Sequence, residues 1–358
     1  VTTPVDPLDL PEYVGQVDMA WRLVLVDGVT GAERGVAHPS PRSASLRHDS
    51  SATVSRTLSG ITLDPVDAAW FRPLVDRGHL EALVDGRVFP LGRYVCVDDI
   101  EIVRSGGSDR PLTMVDETLI VDQAMETGFD AAGRTVQTAA AALLTGFTAV
   151  DPLIETSVHT SVSSWSVGTS RARVWCDLAT EGGYLKPWFD HDGTPRMIQA
   201  FDPATRMVDF DLDAHPRAFA DSITRESSLP DAPNRWIVVS NDTGADSDAA
   251  TAPVVGVWDV PGSAPHSIAN RGFVIPEVVD RQVSTVVQAT AMARALGLAA
   301  TVTETLEFDT PPDPRHDAYQ VIRFLGELWW ETGWTMPLSA TGRMTHTATR
   351  AWPPMEDL

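Results

Sequence analysis

The chain has 358 residues, a formal net charge of −22, 43% hydrophobic residues and 21% charged residues. That length exceeds one ordinary core, so two or three domains are expected, and the composition is that of a globular protein. There are 49 acidic residues against 27 Lys and Arg, Lys186 is the only lysine, and no basic run occurs, which excludes a nucleic-acid reader that works through a basic face.

The two cysteines, Cys96 and Cys176, are far apart and show no CxxC spacing. Neither a disulfide framework nor a zinc site is expected, and both read as buried free thiols. No apolar run approaches the ~20 residues that cross a bilayer, so no membrane segment is expected. The opening VTTPVDPLDLPEYVG lacks the basic start and apolar centre of a signal peptide. The use of arginine for nearly all positive charge reads as a coding bias of the GC-rich kind rather than a functional feature.

In chain order, residues 1–18 are rich in Pro and Asp and read as an extended arm. Alternation predicts a strand over 19–27, closed by Asp27-Gly28. Short strands over 44–48 and 53–58 flank Asp49-Ser50-Ser51, and strands over 79–84 and 87–97 flank Asp85-Gly86, a strong hairpin signal. Residues 105–110 read as a polar loop and 112–116 as a strand. Short strands at this spacing suggest a sandwich or small barrel.

The next region is mixed. An Ala-rich helix is predicted over 135–144, ended by Gly146, and a second over 172–180, stopped by Gly182-Gly183. Residues 157–170 fit either strand or loop. His191-Asp192-Gly193 reads as a turn between Trp188-Phe189 and Met197-Ile198, and 202–213 is acidic. Strands are expected over 234–239 and 254–260, separated by a polar loop over 241–252.

Val279, Val283, Val286, Val287 and Thr290 recur at helical spacing, predicting a helix over 277–296 that enters at Pro276 and stops at Gly297. A strand over 301–308 follows, then the turn DTPPDPRHD over 309–317, in which Pro311, Pro312 and Pro314 forbid helix. Strands over 318–325 and 344–352 close the chain. The expected fold class is α+β, mainly β.

Several residues invite a chemical reading. Asp190, His191 and Asp192 suggest a metal or carboxylate pair, but the further acidic ligands of a calcium loop are missing, and one turn cannot place two carboxylates across a cleft. An Asp-Gly hairpin turn accounts for them. His316-Asp317 is a chance pairing in a chain with nine histidines and no G-x-S-x-G elbow. Ser105-Gly106-Gly107-Ser108 lacks the Lys-Ser/Thr of a phosphate loop. Trp329, Trp330 and Trp334 read as core or interface, with a sugar platform as the alternative. No catalytic, cofactor-binding or metal residue is therefore expected.

Three stretches carry a resemblance: Leu91-Gly92-Arg93-Tyr94-Val95, Asp190-His191-Asp192-Gly193, and Pro311-Pro312-Asp313-Pro314 with Asp317 and Tyr319-Gln320-Val321-Ile322. Together with the order of elements they resemble the tail hub proteins of long-tailed phages, the baseplate hub or tail-tip minor tail protein family. The resemblance is to hubs of this family from a phage of an actinobacterial host. The resemblance implies two barrel-like tail-tube domains, over 19–118 and 233–358, with a mixed α/β insertion over 119–232. It implies a structural, non-enzymatic homotrimer in the virion tail tip, without cofactors, that adapts a six-fold tube to a three-fold tip. Implied partners are a distal tail ring protein, the tape-measure protein, and tail-tip or fibre proteins, with DNA passing through without specific binding. An acidic lumen suits that passage, and Asp85, Glu101, Glu304 and Glu307 are candidates to line it. A tail-associated cell-wall hydrolase and a glycan- or receptor-binding module are the alternatives.

Overall fold

The computed structural model describes residues 19–37, 44–63, 70–73, 75–99, 102–104, 107–201, 205–214, 223–227, 232–240, 253–300, 304–339 and 342–351. The arm over 1–18, the loop expected over 241–252, Glu101 and Trp352 lie outside the described residues.

β1 (Met19–Asp27) and β2 (Glu33–Ala37) pair antiparallel. Their turn is shaped by the Asp27 carboxylate, which accepts the N–H groups of Val29 and Thr30 at 2.9 Å. β3 (Ser45–Asp49) and β4 (Arg56–Leu63) flank the predicted bend. β4 continues past its expected end at 58, because Gly60, at φ 68°, makes a bulge rather than a turn and the register slips between Leu58 and Ile61.

β5 (Asp76–Val84) and β6 (Arg87–Asp99) form the expected hairpin. Asp85 and Gly86 have φ of 48° and 77°, as a two-residue turn matched to strand twist requires. β7 (Ile102–Arg104) and β8 (Gly107–Asp116) form another hairpin, so most of the loop expected over 105–110 is strand. Its polarity misled. The strand is held by pairing of Asp109, Ser108 and Gly107 with Ile102, Val103 and Arg104.

A mixed region follows: α1 (Thr118–Val121), β9 (Phe129–Asp130), α2 (Val136–Leu144), β10 (Leu153–Ile154), β11 (Ser164–Trp165), α3 (Arg171–Glu181), β12 (Trp188–Phe189) and β13 (Pro195–Met197). Both predicted helices form where capping residues stand. Thr135 and Ser170 accept the N–H groups of Thr138 and Arg173, each at 3.2 Å. Val136, Ala140 and Leu143 pack with Val174, Trp175 and Leu178 in one core. β14 (Phe210–Asp211) and β15 (Ile223–Ser227) end the region.

β16 (Arg235–Ser240), β17 (Val254–Asp259), α4 (Ile268–Arg271), β18 (Pro276–Asp280) and α5 (Val286–Ala300) form a module with its own three-stranded sheet. The helix expected over 277–296 is corrected at both ends. Pro276–Asp280 is a strand, paired parallel to β16, since its adjacent valines suit a pleated surface. The helix starts after Thr285, whose hydroxyl accepts the Gln288 N–H at 3.1 Å. Gly297 sits inside it. A Cβ there would stand 2.3 Å from the Trp258 ring, so the glycine permits close packing and does not stop the helix.

β19 (Glu304–Thr310), β20 (Val321–Phe324), β21 (Glu327–Pro337) and β22 (Met344–Ala351) complete the fold. The chain is mainly β, dominated by one 14-stranded, mostly antiparallel sheet in the order β15-β19-β22-β21-β3-β4-β8-β6-β5-β1-β2. β14 joins through β20, β20 pairs with β21, and β7 pairs with β8. β1–β8 form a first half, and β14, β15 and β19–β22 a second. The halves meet where β3 pairs with β21. The first core crosses this seam, since Trp334, Met336 and Met344 pack with Leu23, Leu46 and Leu58. A second core gathers Leu306, Phe308, Ile322, Phe324 and Trp329.

Candidate functional site: the seam of the large sheet

β3 and β21 are registered from Ser45 opposite Pro337 to Asp49 opposite Gly333. Polar groups are buried around this joint. Asp317, at the end of the Pro-Asp turn, forms a short ion pair with Arg56 of β4, and its second oxygen accepts the His191 Nδ1–H at 3.1 Å. Its carboxylate also accepts the Ala318 N–H at 2.8 Å, and its carbonyl accepts the Trp334 indole N–H at 3.3 Å. One residue thus ties together β4, β21, the β12–β13 turn and the Pro-Asp turn.

Burial alone would raise the Asp317 pKa. The Arg56 charge, with the hydrogen bond from His191, overrides that and holds the carboxyl well below the usual carboxylate range. Arg56 is 1% exposed; its guanidinium also donates to Leu91 O at 3.3 Å and stands 5.9 Å from the Trp334 ring. The hydrogen bond to Asp317 raises the His191 pKa, against the effect of burial. Lys186 makes a second link, donating to Ser51 O and Ala52 O at 2.7 and 2.6 Å. Tyr319 donates to Lys186 O at 3.1 Å and holds φ at 58°, a strained value for an aromatic residue.

A second buried cluster centres on Glu331 of β21. It accepts His316 Nδ1–H at 2.7 Å and His346 Nδ1–H at 2.6 Å, and all three side chains are buried. Phe210 stacks on His316 with centroids 4.0 Å apart, and Phe308 on His346 at 4.7 Å. Burial pushes the Glu331 pKa up, but the charge and hydrogen bond of His316 and the bond from His346 bring it down to about 2. Burial depresses both histidines. Glu331 outweighs it at His316, whose pKa is raised, whereas His346 ends lowered. The opposite directions favour charge on His316 over His346, whose Nε2 meets the Thr310 hydroxyl at 2.7 Å.

Three ligating atoms of His316, Glu331 and His346 stand within 4.8 Å of one another. Their nitrogen–oxygen separations of 2.6 and 2.7 Å are hydrogen-bond lengths. Two ligands on one zinc, each about 2.0–2.1 Å from it, stand farther apart in tetrahedral geometry. The geometry fits an ion pair, not a metal centre.

The remaining residues singled out in the sequence are dispersed. Asp190 closes the predicted turn. It accepts the N–H groups of Asp192 and Thr194 at 2.9 Å and Arg196 Nε–H at 2.6 Å, which leaves no open pair of carboxylates there. His316 and Asp317 are sequence neighbours with separate partners. Trp329, Trp330 and Trp334 are 0%, 6% and 3% exposed, and each indole N–H reaches a backbone carbonyl. They are core residues, not an open platform. Cys96 is buried, with its thiol donating to Asp98 O at 3.3 Å, and Cys176 is partly buried; neither is in a disulfide. Asp85 and Glu307 are exposed, whereas Glu304 is buried and accepts the Arg225 guanidinium at 2.8 Å.

Sequence reasoning did not single out Arg56, Glu331 or His346. The available signal was parity. Glu331 shares a strand face with Trp329, and His346 with Met344 and Ala348, so each is a charged or titratable residue at a core position.

No family model matches the chain, and no curated protein matches it in sequence. Solved structures do match its fold. The tail protein from Neisseria meningitidis is similar at TM-score 0.62 and 13% identity, over 94% of this chain and 98% of that one. The prophage MuSo2 43 kDa tail protein from Shewanella oneidensis matches at 0.58 and 14%, over 93% and 99%. Prophage tail protein gp18 from Listeria monocytogenes matches at 0.58 and 9%, over 91% and 94%. The chain shares the fold of these tail proteins over more than nine-tenths of its length.

Proposed function

We propose that the chain is a structural, non-enzymatic hub of a phage tail tip. One observation carries this reading: the fold matches solved tail proteins over more than nine-tenths of both chains. In this reading three copies form a ring that closes the tail tube and adapts six-fold symmetry to three-fold. A distal tail ring protein stands above, the tape-measure end inside, and tip or fibre proteins below. The two halves of the sheet serve as the two tube domains, the second built from 205–227 and 304–351. The module over 232–300, with its own sheet, is then an insert in that second domain.

Two features support it. The large sheet ends in β2 and β15, each five residues long and each paired on one side among the described residues. Such edges pair readily with another chain, and pairing between copies would close a ring. The acidic balance of the chain favours a wall to which DNA does not adhere. Imaging of the assembled ring tests the proposal: three-fold symmetry is expected, and a two-fold dimer in the assembled particle would sink it. The free protein should also leave duplex DNA unbound at physiological salt. Salt-sensitive, micromolar retention in a filter-binding titration would contradict the acidic channel.

A further inference from the structure

We propose that His191 and Asp317 form a pH-sensitive clasp, which fixes the β12–β13 turn to the seam when the imidazole is protonated and slackens when it is not. The inference is independent of the tail-hub reading and rests on the geometry of the joint. From the tip of the turn the His191 imidazole reaches the seam, 3.1 Å from a carboxylate that Arg56 already holds ionised. That carboxylate is anchored on its own side by the Ala318 N–H, so it is a fixed target for the imidazole.

The charges facing His191 come from every element packed on it. Asp317 stands on the Pro-Asp turn, and Asp192 on its own turn, with an oxygen 3.5 Å from Nε2. Asp190 lies in the same turn, held by Arg196 of β13. Arg56 of β4 stands behind Asp317, and the Arg93 side chain of β6 lies under Gly193, where a Cβ would stand 2.1 Å from it. Three carboxylates surround the ring, and two of them, Asp190 and Asp317, already hold an arginine. Both ring nitrogens face acceptors, Nδ1 toward Asp317 and Nε2 toward Asp192. A neutral imidazole has one N–H and satisfies one of them; the imidazolium satisfies both.

The direction follows. The raised imidazole pKa means the clasp is fully formed below the ordinary histidine value and is lost as pH rises through the folded value. Hydrogen exchange of peptides covering 186–196 in the intact protein, corrected for intrinsic pH effects, tests this from about pH 5.5 to about pH 9. Protection should fall about fivefold across the titration, the ratio that separates a charge-assisted from a neutral hydrogen bond. His191→Asn keeps a donor near Nδ1 but cannot titrate, and its profile should be flat. Flat protection in the natural protein would overturn the proposal. So would a His191→Asn variant that keeps the natural pH dependence, because another group would then be the one titrating. A carbon-bound proton of the His191 ring, followed by NMR, should shift with the same midpoint as the protection change, and a different midpoint would equally overturn it.

Discussion

Replacing Glu331 with Gln tests the buried cluster most directly. The side chain is 0% exposed and accepts two hydrogen bonds of 2.7 and 2.6 Å from buried imidazoles. Gln keeps the volume but presents an amide N–H₂ where one ring N–H must find an acceptor, and it strands the His316 charge. Breaking a buried pair by removing one partner costs about 3–5 kcal/mol, and that loss is expected in chemical denaturation. Its pH dependence is set by both partners. The Glu331 pKa is lowered, so its contribution is present above the unfolded value and is lost as pH falls toward about 2. The His316 pKa is raised, so its contribution is present below the unfolded value and is lost as pH rises through the folded one. The gap between natural protein and variant should therefore be widest from about pH 4.5 to about pH 6.5 and narrow on the alkaline side. A loss below about 1 kcal/mol, or a gap that widens with rising pH, would refute the ion-pair reasoning.

Three further outcomes are expected. His48 is 1% exposed, and burial, reinforced by the Arg56 charge, lowers its pKa to about 4, so stability should fall as pH drops from 6.5 to 4, by at most about 3 kcal/mol from this group. His48→Leu should flatten that limb in pH-dependent melts, and an unchanged limb would exclude His48 as its source. Gly297→Ala should destabilise by about 1–3 kcal/mol through overpacking against Trp258, despite alanine's better helix propensity, and a stabilised variant would show that α5 is not held as closely as described. Replacing Pro312 and Pro314 together by Gly should cost about 0.4–1 kcal/mol each in thermal melts, because the unfolded chain gains freedom, and no change would mean that the turn is not fixed by its prolines.

The sequence made legible what local chemistry decides. Asp85-Gly86 specified its hairpin through two positive φ values, and the helices expected over 135–144 and 172–180 form behind side-chain caps at Thr135 and Ser170. What remained hidden depends on distant partners. β21 escaped because Glu331, Thr332 and Gly333 interrupt its alternation, and the structure places a bulge between Glu331 and Gly333. The valines at 278 and 279 fit a helical face equally well, and only their pairing with Ile237 and Val238 on β16 makes them strand. Gly297 reads as a stop in one dimension and as room for Trp258 in three. The seam residues were hardest of all, since Arg56 and Asp317 are 261 positions apart.

That distance bears on what the seam does. The halves are joined by five paired positions between β3 and β21, and backbone bonds alone tolerate a slip of two residues that keeps each side chain on its face. The buried charges do not tolerate it. Arg56 is carried on β4, which is paired to β3, while Asp317 and Trp334 are carried with β21. Sliding one half past the other by two residues would separate Arg56 from its carboxylate by roughly 6–7 Å and leave a buried guanidinium unpaired. Apolar contacts across the seam, by contrast, could repack. For a ring subunit with two tube domains, the angle between the halves would set the curvature of the ring, and an error repeated in each copy would prevent closure. The Arg56–Asp317 pair would then matter less for the stability it adds than for the registers it forbids. Asp317→Asn tests the distinction. It should leave the strand content of the monomer nearly unchanged while lowering the yield of closed rings, and rings forming at the natural yield would sink the argument.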